Sequence, residues 1–374
     1  MAFMATTITL ITIIIFFFGQ LARIELFSIS FPLIDICLII LISINLYKNI
    51  SKNKLSIKNK FFLYFLITTY LSYIFNLIFS YKFSLKSFFY LIRLSVLLSF
   101  FIFPVDKSIK NQKNKFFFKL ILIANTIFGL IQYFFWPNST NFKSLNWDPH
   151  LNRLIGTFLD PTFTGLIYLF IFFSIFLNSS KNKRKRNRPQ GDNLQKKILL
   201  SLSYIAMALT YSRSTLLSFL SAFTYISIKT KNVKIFIISF LLVLITTIVL
   251  PQTEGEGTKL HRSSTILAKI QNYKEGIKIF IKKPILGHGY NNLYQARTIR
   301  NPSSHANFGF DSSLLTILNT TGIIGLIFFI LAIKKELQNK NQLKKILLLS
   351  TFIHSIFANS LLYPWVLFSI SFLP

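Results

Sequence analysis

The residues of this chain best suited to chemistry are basic. Of its ten arginines, six stand at the ends of apolar runs or in the longest polar segment: Arg23, Arg153, Arg213, Arg262, Arg297 and Arg300. A guanidinium presents its N–H donors in a planar fork that grips a phosphate or carboxylate at two points. The chain otherwise writes positive charge as lysine, thirty-two against ten, so arginine at these places suggests a held anion. For any single one, ordinary snorkelling at a helix end is the simpler account. Two residues could move a proton. Asp311 stands directly before an apolar run, as a helix N-cap or as an acid/base group near the arginines. His305, six positions upstream, has the side-chain type most suited to proton transfer at neutral pH. No His, Cys, Asp or Glu cluster has the spacing of metal ligands, and the one cysteine, Cys37, lies in an apolar run. The expectation is a site without metal or cofactor.

The elements that must position these groups are membrane helices. Across 374 residues, 52% are hydrophobic and 14% charged, and mean hydropathy is +0.53, which excludes a soluble enzyme. A span needs about 20 apolar residues. About eleven runs answer to this, at 5–18, 31–47, 61–80, 85–104, 116–136, 161–178, 198–211, 215–228, 235–250, 312–333 and from 346 on, the last broken near Pro364 into one kinked span or two. The expected fold is therefore an all-α integral membrane protein of about 11–12 transmembrane helices. It forms a single polytopic domain over 1–374, with one long loop at 251–310.

Orientation follows from the connections. Alternate loops at 48–60, 105–115, 179–197, 229–234 and 334–345 hold 25 basic residues, and the short intervening ones hold 6. That asymmetry places the N-terminus in the cytoplasm and 251–310 outside. It also favours a hairpin turning at Tyr211, Ser212 and Arg213 over one long helix from 198 to 228. The net charge of +31 is then mostly a topology signal, and the run Lys181 to Arg188 is a cytoplasmic loop facing anionic lipid. Nucleic acid is not the expected partner. In the long loop, Ile266, Ile270, Tyr273, Ile277, Phe280 and Ile281 recur at helical spacing with lysines between them, as in a basic amphipathic helix on the membrane surface. Pro284 ends it, and Gly287-His288-Gly289 follows as a turn.

Three segments, in order, resemble the O-antigen polymerase and ligase superfamily of bacterial membrane glycosyltransferases. The first runs from Arg153 through Gly156-Thr157-Phe158 to Asp160-Pro161, and the second is Thr210-Tyr211-Ser212-Arg213. The third runs from Tyr273 through Lys283-Pro284-Ile285-Leu286-Gly287-His288-Gly289 to Asn292, and closes with Gly322-Ile323-Ile324-Gly325. Three positions depart from the pattern. Lys269 stands where members often have Arg, Asp160-Pro161-Thr162 replaces Asn-Pro-Asn, and Asp311-Ser312 stands where ligases tend to have His-Asn, which favours a polymerase.

The resemblance implies a GT-C-like membrane fold in the bacterial plasma membrane. It implies a donor oligosaccharide carried on polyprenyl pyrophosphate, an acceptor glycan or lipid, and work beside membrane lipid and other polysaccharide export proteins. Cleaving the sugar C1–phosphate bond leaves charge on the pyrophosphate, which fixed cations stabilise. Arg153 and Arg213, expected at helix ends facing outward, would hold it, with Lys269, Arg297 and Arg300 as helpers on the loop. Asp311 or His305 would orient or deprotonate the acceptor hydroxyl. A transporter of a small solute or lipid-linked glycan is the main rival, and a membrane scaffold the next. The concentration of polarity at one surface argues against the first, because coupled transport usually needs acids or histidines at mid-depth.

Overall fold

The computed structural model describes residues 2–26, 29–52, 56–145, 147–182, 191–253, 255–297 and 308–374. Among them the chain forms α1 (Ala2–Phe18), a hairpin of β1 (Arg23–Leu26) and β2 (Ile29–Pro32), then α2 (Leu33–Ser51), α3 (Lys60–Phe79), α4 (Leu85–Ile102) and α5 (Gln112–Phe135). There follow α6 (Pro161–Asn182), α7 (Gly191–Ala208), α8 (Arg213–Thr230), α9 (Val233–Val249), α10 (Ser264–Lys282) and α11 (Leu293–Ala296). The chain ends with α12 (Ser313–Leu337), α13 (Gln342–His354) and α14 (Pro364–Phe372). It is an all-α integral membrane protein, and the small hairpin, pairing Arg23 with Pro32 and Leu26 with Ile29, is the departure from pure helix.

Every apolar run of the sequence coincides with a helix, but they differ in kind. Six are long and apolar enough to cross a membrane: Phe3–Leu21, Leu33–Ser51, Lys60–Phe79, Leu85–Ile102, Gln112–Phe135 and Ser313–Leu337. Two further apolar helices, Pro161–Leu177 and Val233–Val249, are shorter, and the helices also differ in burial. In α6, the residues Leu166, Ile167, Tyr168, Leu169, Phe170 and Ile171 are all fully buried, so its whole circumference meets protein rather than lipid. The nine-residue α14 also lies inside, where Phe368 packs against Phe16, Phe100 and Phe118. Pro364 starts α14 as a separate helix, and α13 stops ten residues earlier at His354. On the rim, α9 buries only Ser239 and offers its isoleucines and leucines to lipid.

With no water in the hydrocarbon core, each helix start must satisfy its own N–H groups. The short polar loops supply the caps. Asn59, Ser84, Asn111, Ser212, Asn232, Ser312 and Asn341 each accept a backbone N–H of the helix they precede. Asp160 does the same for α6, accepting from Thr162 N at 2.6 Å and Phe163 N at 3.1 Å. At the end of the bundle that carries loops 103–111 and 338–341, cations meet acids. Lys52 lies 2.8 Å and Lys48 3.7 Å from Asp106, and Lys344 pairs with the buried Glu336, which Asn59 also contacts.

One helix is broken to receive a loop. Gly322, inside α12, has φ +67° and ψ −170°, a conformation open essentially to glycine alone. The break frees two carbonyls and an N–H in the middle of the bundle, and the segment after α10 takes all three. His288 N donates to Asn319 O at 2.8 Å, Gly289 N donates to Thr320 O at 2.9 Å, and Ile323 N donates to Pro284 O at 2.9 Å. The neighbouring α3 adds Ser72 Oγ to Thr320 O at 2.8 Å, and Asn76 Nδ2 to Gly287 O at 2.9 Å. Lys283 Nζ reaches Asn76 Oδ1 at 2.6 Å. His288 is held at both ring nitrogens, by Ile279 O at 2.9 Å and the Tyr81 hydroxyl at 2.5 Å.

A methyl group at Gly322 would sit 2.0 Å from Ile285 O, with no flexible side chain to move aside. Gly322→Ala should destabilise the protein by about 2 kcal/mol or more, from strain and lost hydrogen bonds. Gly309→Ala meets only ordinary contacts at 3.4 Å and beyond and should be neutral. Thermal unfolding of both variants in detergent checks this, and equal midpoints would show that the joint is not needed.

Candidate functional site

The described polar segments 136–145, 147–160, 209–212, 250–253, 255–297, 308–312 and 355–363 gather at the end of the bundle opposite Asp106 and Glu336. The first pin is the turn between α7 and α8. Helix α7 ends at Ala208, leaving the carbonyls of Leu209 and Thr210 without helical partners, and Tyr211 enters the left-handed region at φ +52°. Arg153 closes this turn. Its Nε and Nη2 both donate to Thr210 O, at 3.0 and 2.9 Å, while Leu154 N donates to Leu209 O at 2.9 Å. Gly257 leaves room for the Arg153 side chain, since a Cβ there would lie 2.7 Å from Arg153 Cδ.

Arg153 is turned into the protein, 8% exposed, where it supplies the donor that the orphaned Thr210 carbonyl needs. Burial, with help from Arg262 and Arg213 and against Asp160, lowers its pKa to about 10. The same turn starts α8 with Arg213 in its first helical position. Arg213 Nη1 donates to Leu260 O at 3.3 Å and to Arg262 O at 3.2 Å, while its other two nitrogens make no hydrogen bond among the described residues. Arg262 folds back on its own loop, with Nε on Thr265 Oγ1 at 2.7 Å and Nη1 on Gly257 O.

Helix α10 brings the fourth cation. Its exposed face carries Ile266, Leu267, Ile270, Ile277 and Ile281, so the amphipathic reading holds. The opposite face is seated on the bundle through Gly276, pressed against Leu315, and the buried Ile279. Lys269 Nζ donates to Phe357 O, and the Tyr273 hydroxyl to Ile356 O, in the corner between α13 and α14. Burial lowers the Lys269 pKa, Asp311 and Asp160 raise it, and Arg213 and Arg262 lower it further. Those influences place Lys269 among the same charged groups.

Asp311 joins them from the other side. The cap of α12 is Ser312, whose hydroxyl accepts from Leu315 N. Asp311 is exposed, its N–H donates to Asn272 Oδ1 at 3.2 Å, and its carboxylate makes no hydrogen bond or ion pair among the described residues. The capping reading of Asp311 is therefore replaced: serine, one position on, does that work, and the carboxylate is not used for it. Arg297 is near Asp311 but committed elsewhere. Its Nη2 donates to Gly309 O at 2.8 Å, Nε lies 3.6 Å from Glu275, and the guanidinium lies 4.7 Å from the Phe310 ring centre. Arg300 and His305 fall outside the described residues.

The structure thus brings together Arg153, Arg213, Lys269 and Asp311, and adds Arg262, Asp160 and His354. None of Arg153, Arg213, Arg262 and Lys269 has a carboxylate within 4.0 Å among the described residues. Each of them donates to at least one backbone carbonyl. Sequence reasoning placed Arg262 on this face without giving it a role, and its position as a carbonyl acceptor for Arg213 has no signature in the sequence. His354 is fully buried. Its Nε2 lies 3.2 Å from Ser214 Oγ and 3.4 Å from Thr215 Oγ1, directly behind Arg213, while Nδ1 has no partner. No group of three or more His, Cys, Asp and Glu close enough to hold a metal ion occurs among the described residues.

No curated protein matches the chain. Residues 198–330, less than half of the chain, running from α7 into α12 and across the loop that carries Arg262, Lys269 and Asp311, match the family model described as O-antigen ligase.

Proposed function

We propose that this family function takes the form of a polymerase: a membrane glycosyltransferase that extends polyprenyl-pyrophosphate-linked oligosaccharide on the outer face of the bacterial plasma membrane. The N-terminus is then cytoplasmic, and the cluster of Arg213, Lys269 and Asp311 faces outward. The observation that carries the reading is four cations held by carbonyl dipoles instead of acids. Among the described residues none of the four has a carboxylate within ion-pair distance, as a site awaiting a polyanion requires.

In this mechanism the acceptor hydroxyl oxygen forms a bond to C1 of the donor sugar as the C1–phosphate oxygen bond breaks. Polyprenyl pyrophosphate leaves with the bonding electron pair, and Arg213 and Lys269 stabilise its growing charge. Arg153 and Arg262 act chiefly as positioning residues, fixing the turn and the loop on which Arg213 rests, and Arg297 positions the segment leading to Asp311. Asp311 takes the acceptor proton, with His305 as the alternative base and Arg300 as a further anion ligand. The cationic side chains supply charge that a divalent ion supplies in other transferases. The exposed isoleucines of α10 keep the lipid-borne donor at the membrane surface.

Deletion of the gene followed by gel analysis of surface polysaccharide tests this reading. Single-repeat chains are expected. Lipid-linked polymer accumulating beside an unmodified acceptor would instead identify a ligase, transferring glycan to lipid A core or another acceptor. Arg213→Gln, which keeps a donor for the Leu260 and Arg262 carbonyls but removes the charge, should insert normally and lower transfer about 100-fold. Asp311→Asn should abolish turnover while donor binding persists. Unchanged transfer in either variant would remove that residue from the mechanism. The lowered pKa of Lys269 predicts a rate that falls, as pH rises, below the ordinary lysine range. Lys269→Arg, charged throughout, should keep its rate on the alkaline side, and superimposable normalised pH profiles would show that the Lys269 charge is not used.

A further inference from the structure

A second polar site lies away from this cluster, between α2 and α4. Asp35, in the first turn of α2, and Arg93, in the middle of α4, meet across the two helices, with Arg93 Nε 3.0 Å from Asp35 Oδ1. The geometry is that of a charge contact and not of an aligned hydrogen bond. Both Asp35 oxygens and Arg93 Nε are buried without a hydrogen-bond partner, and Asp35 is 8% exposed. Arg93 Nη1 and Nη2 likewise make no hydrogen bond among the described residues. Both residues line an open cleft with a cavity volume of about 70 Å³, whose remaining walls are mostly apolar: Leu38, Ile39, Phe89, Ile92, Val96 and Leu97 among them. Ser30, Phe31 and Pro32 of the hairpin form its upper edge, and Tyr90 lies beside the guanidinium, 5.4 Å from ring centre to Cζ.

A buried ion pair whose polar atoms lack further hydrogen bonds among the described residues is costly, so this pair suits a ligand that both accepts and donates. A simple anion would be drawn to Arg93 and repelled by Asp35, and a simple cation the reverse. A sugar could bond to both, but it would waste the apolar walls. Exposed Ile36, Ile39, Ile40 and Phe88 flank the opening, as befits a site reached from lipid. We propose that this cleft binds the head group of a zwitterionic aminophospholipid, with the ammonium on Asp35, the phosphodiester on Arg93 and the upper acyl chain along Ile39 and Val96. The inference does not depend on the transferase reading, since none of these residues belongs to the cluster of Arg213, Lys269 and Asp311.

The test uses the full-length protein delipidated in detergent, with phosphatidylethanolamine, phosphatidylcholine or phosphatidylglycerol of identical acyl chains added and retained lipid measured by native mass spectrometry. Phosphatidylethanolamine should be retained at one per chain. Phosphatidylcholine, whose trimethylammonium cannot donate hydrogen bonds to Asp35, and phosphatidylglycerol, which has no cation, should each bind about tenfold more weakly or worse. Asp35→Asn should remove that preference. Val96→Trp fills the cleft without touching the ion pair, so it should fold normally and lose the bound lipid. Equal retention of the three lipids, unchanged binding in Val96→Trp, or displacement by octyl glucoside as effective as by the lipid itself would each overturn the proposal.

Discussion

The arrangement of this protein rests on the exchange of hydrogen bonds at Gly322. A helix broken inside an apolar bundle exposes backbone groups that neither lipid nor side chains satisfy cheaply. Here the loop segment from Pro284 to Gly289 pairs with them as one strand pairs with another. The exchange serves both partners, because a loop of this composition would have no reason to enter the bundle without the freed carbonyls of Asn319 and Thr320. It also fixes the far end of α10 and the start of α12 relative to each other. The distance between Lys269 and Asp311, which belong to those two helices and their approach, is thereby set in part by backbone geometry.

The two ends of the bundle treat positive charge differently. At one, Lys48, Lys52 and Lys344 lie against Asp106 and Glu336, and the pairs tie helices together. At the other, Arg153, Arg213, Arg262 and Lys269 are oriented by carbonyls of Thr210, Leu260, Gly257 and Phe357. A carbonyl fixes a cation's position yet cancels only a fraction of its charge. Oriented dipoles of this kind need not reorganise when an anion arrives, which is the condition for strong electrostatic stabilisation of a transition state. The same logic separates Arg297, partly neutralised by Glu275, from Arg213.

What the sequence disclosed follows from the range of each interaction. Helix positions, the α7–α8 hairpin and the amphipathic α10 depend on residues a few positions apart, and hydropathy and charge alternation display them directly. The cap of α12 was legible in part: Asp311 and Ser312 are both good capping residues, and only the observed backbone shows that Ser312 takes the role. Contacts between distant segments left no such trace. Arg93 is 58 positions from Asp35, and His354 is 140 from Ser214. The inward turn of Arg153 depends on an unpaired carbonyl 57 residues away. The β-hairpin escaped notice because its strands are four residues long and held by Arg23, whose Nε and Nη2 both bind Ser30. Charge at a helix end had suggested an anion site there, and it proved to be a local brace. The family motifs gave the order of the parts, and the joint at Gly322 explains why two of them, Lys283 to Asn292 and Gly322 to Gly325, occur together.

The broken C-terminal stretch has a part in the same design. Had the chain continued from α13 as one helix through Pro364, the carbonyls of Ile356 and Phe357 would have been consumed within it. Because α13 stops at His354 and α14 starts only at Pro364, both carbonyls remain open at the surface of the bundle. Tyr273 and Lys269 take them, so α10 is clamped near its middle by this corner and at its end by the break in α12. Two fixed points on a rigid helix remove most of its freedom to pivot. A cation carried on an otherwise surface-lying helix thus keeps its place near Arg213 and Asp311, and ordering the loop is a cost met in folding and not again at each encounter with substrate.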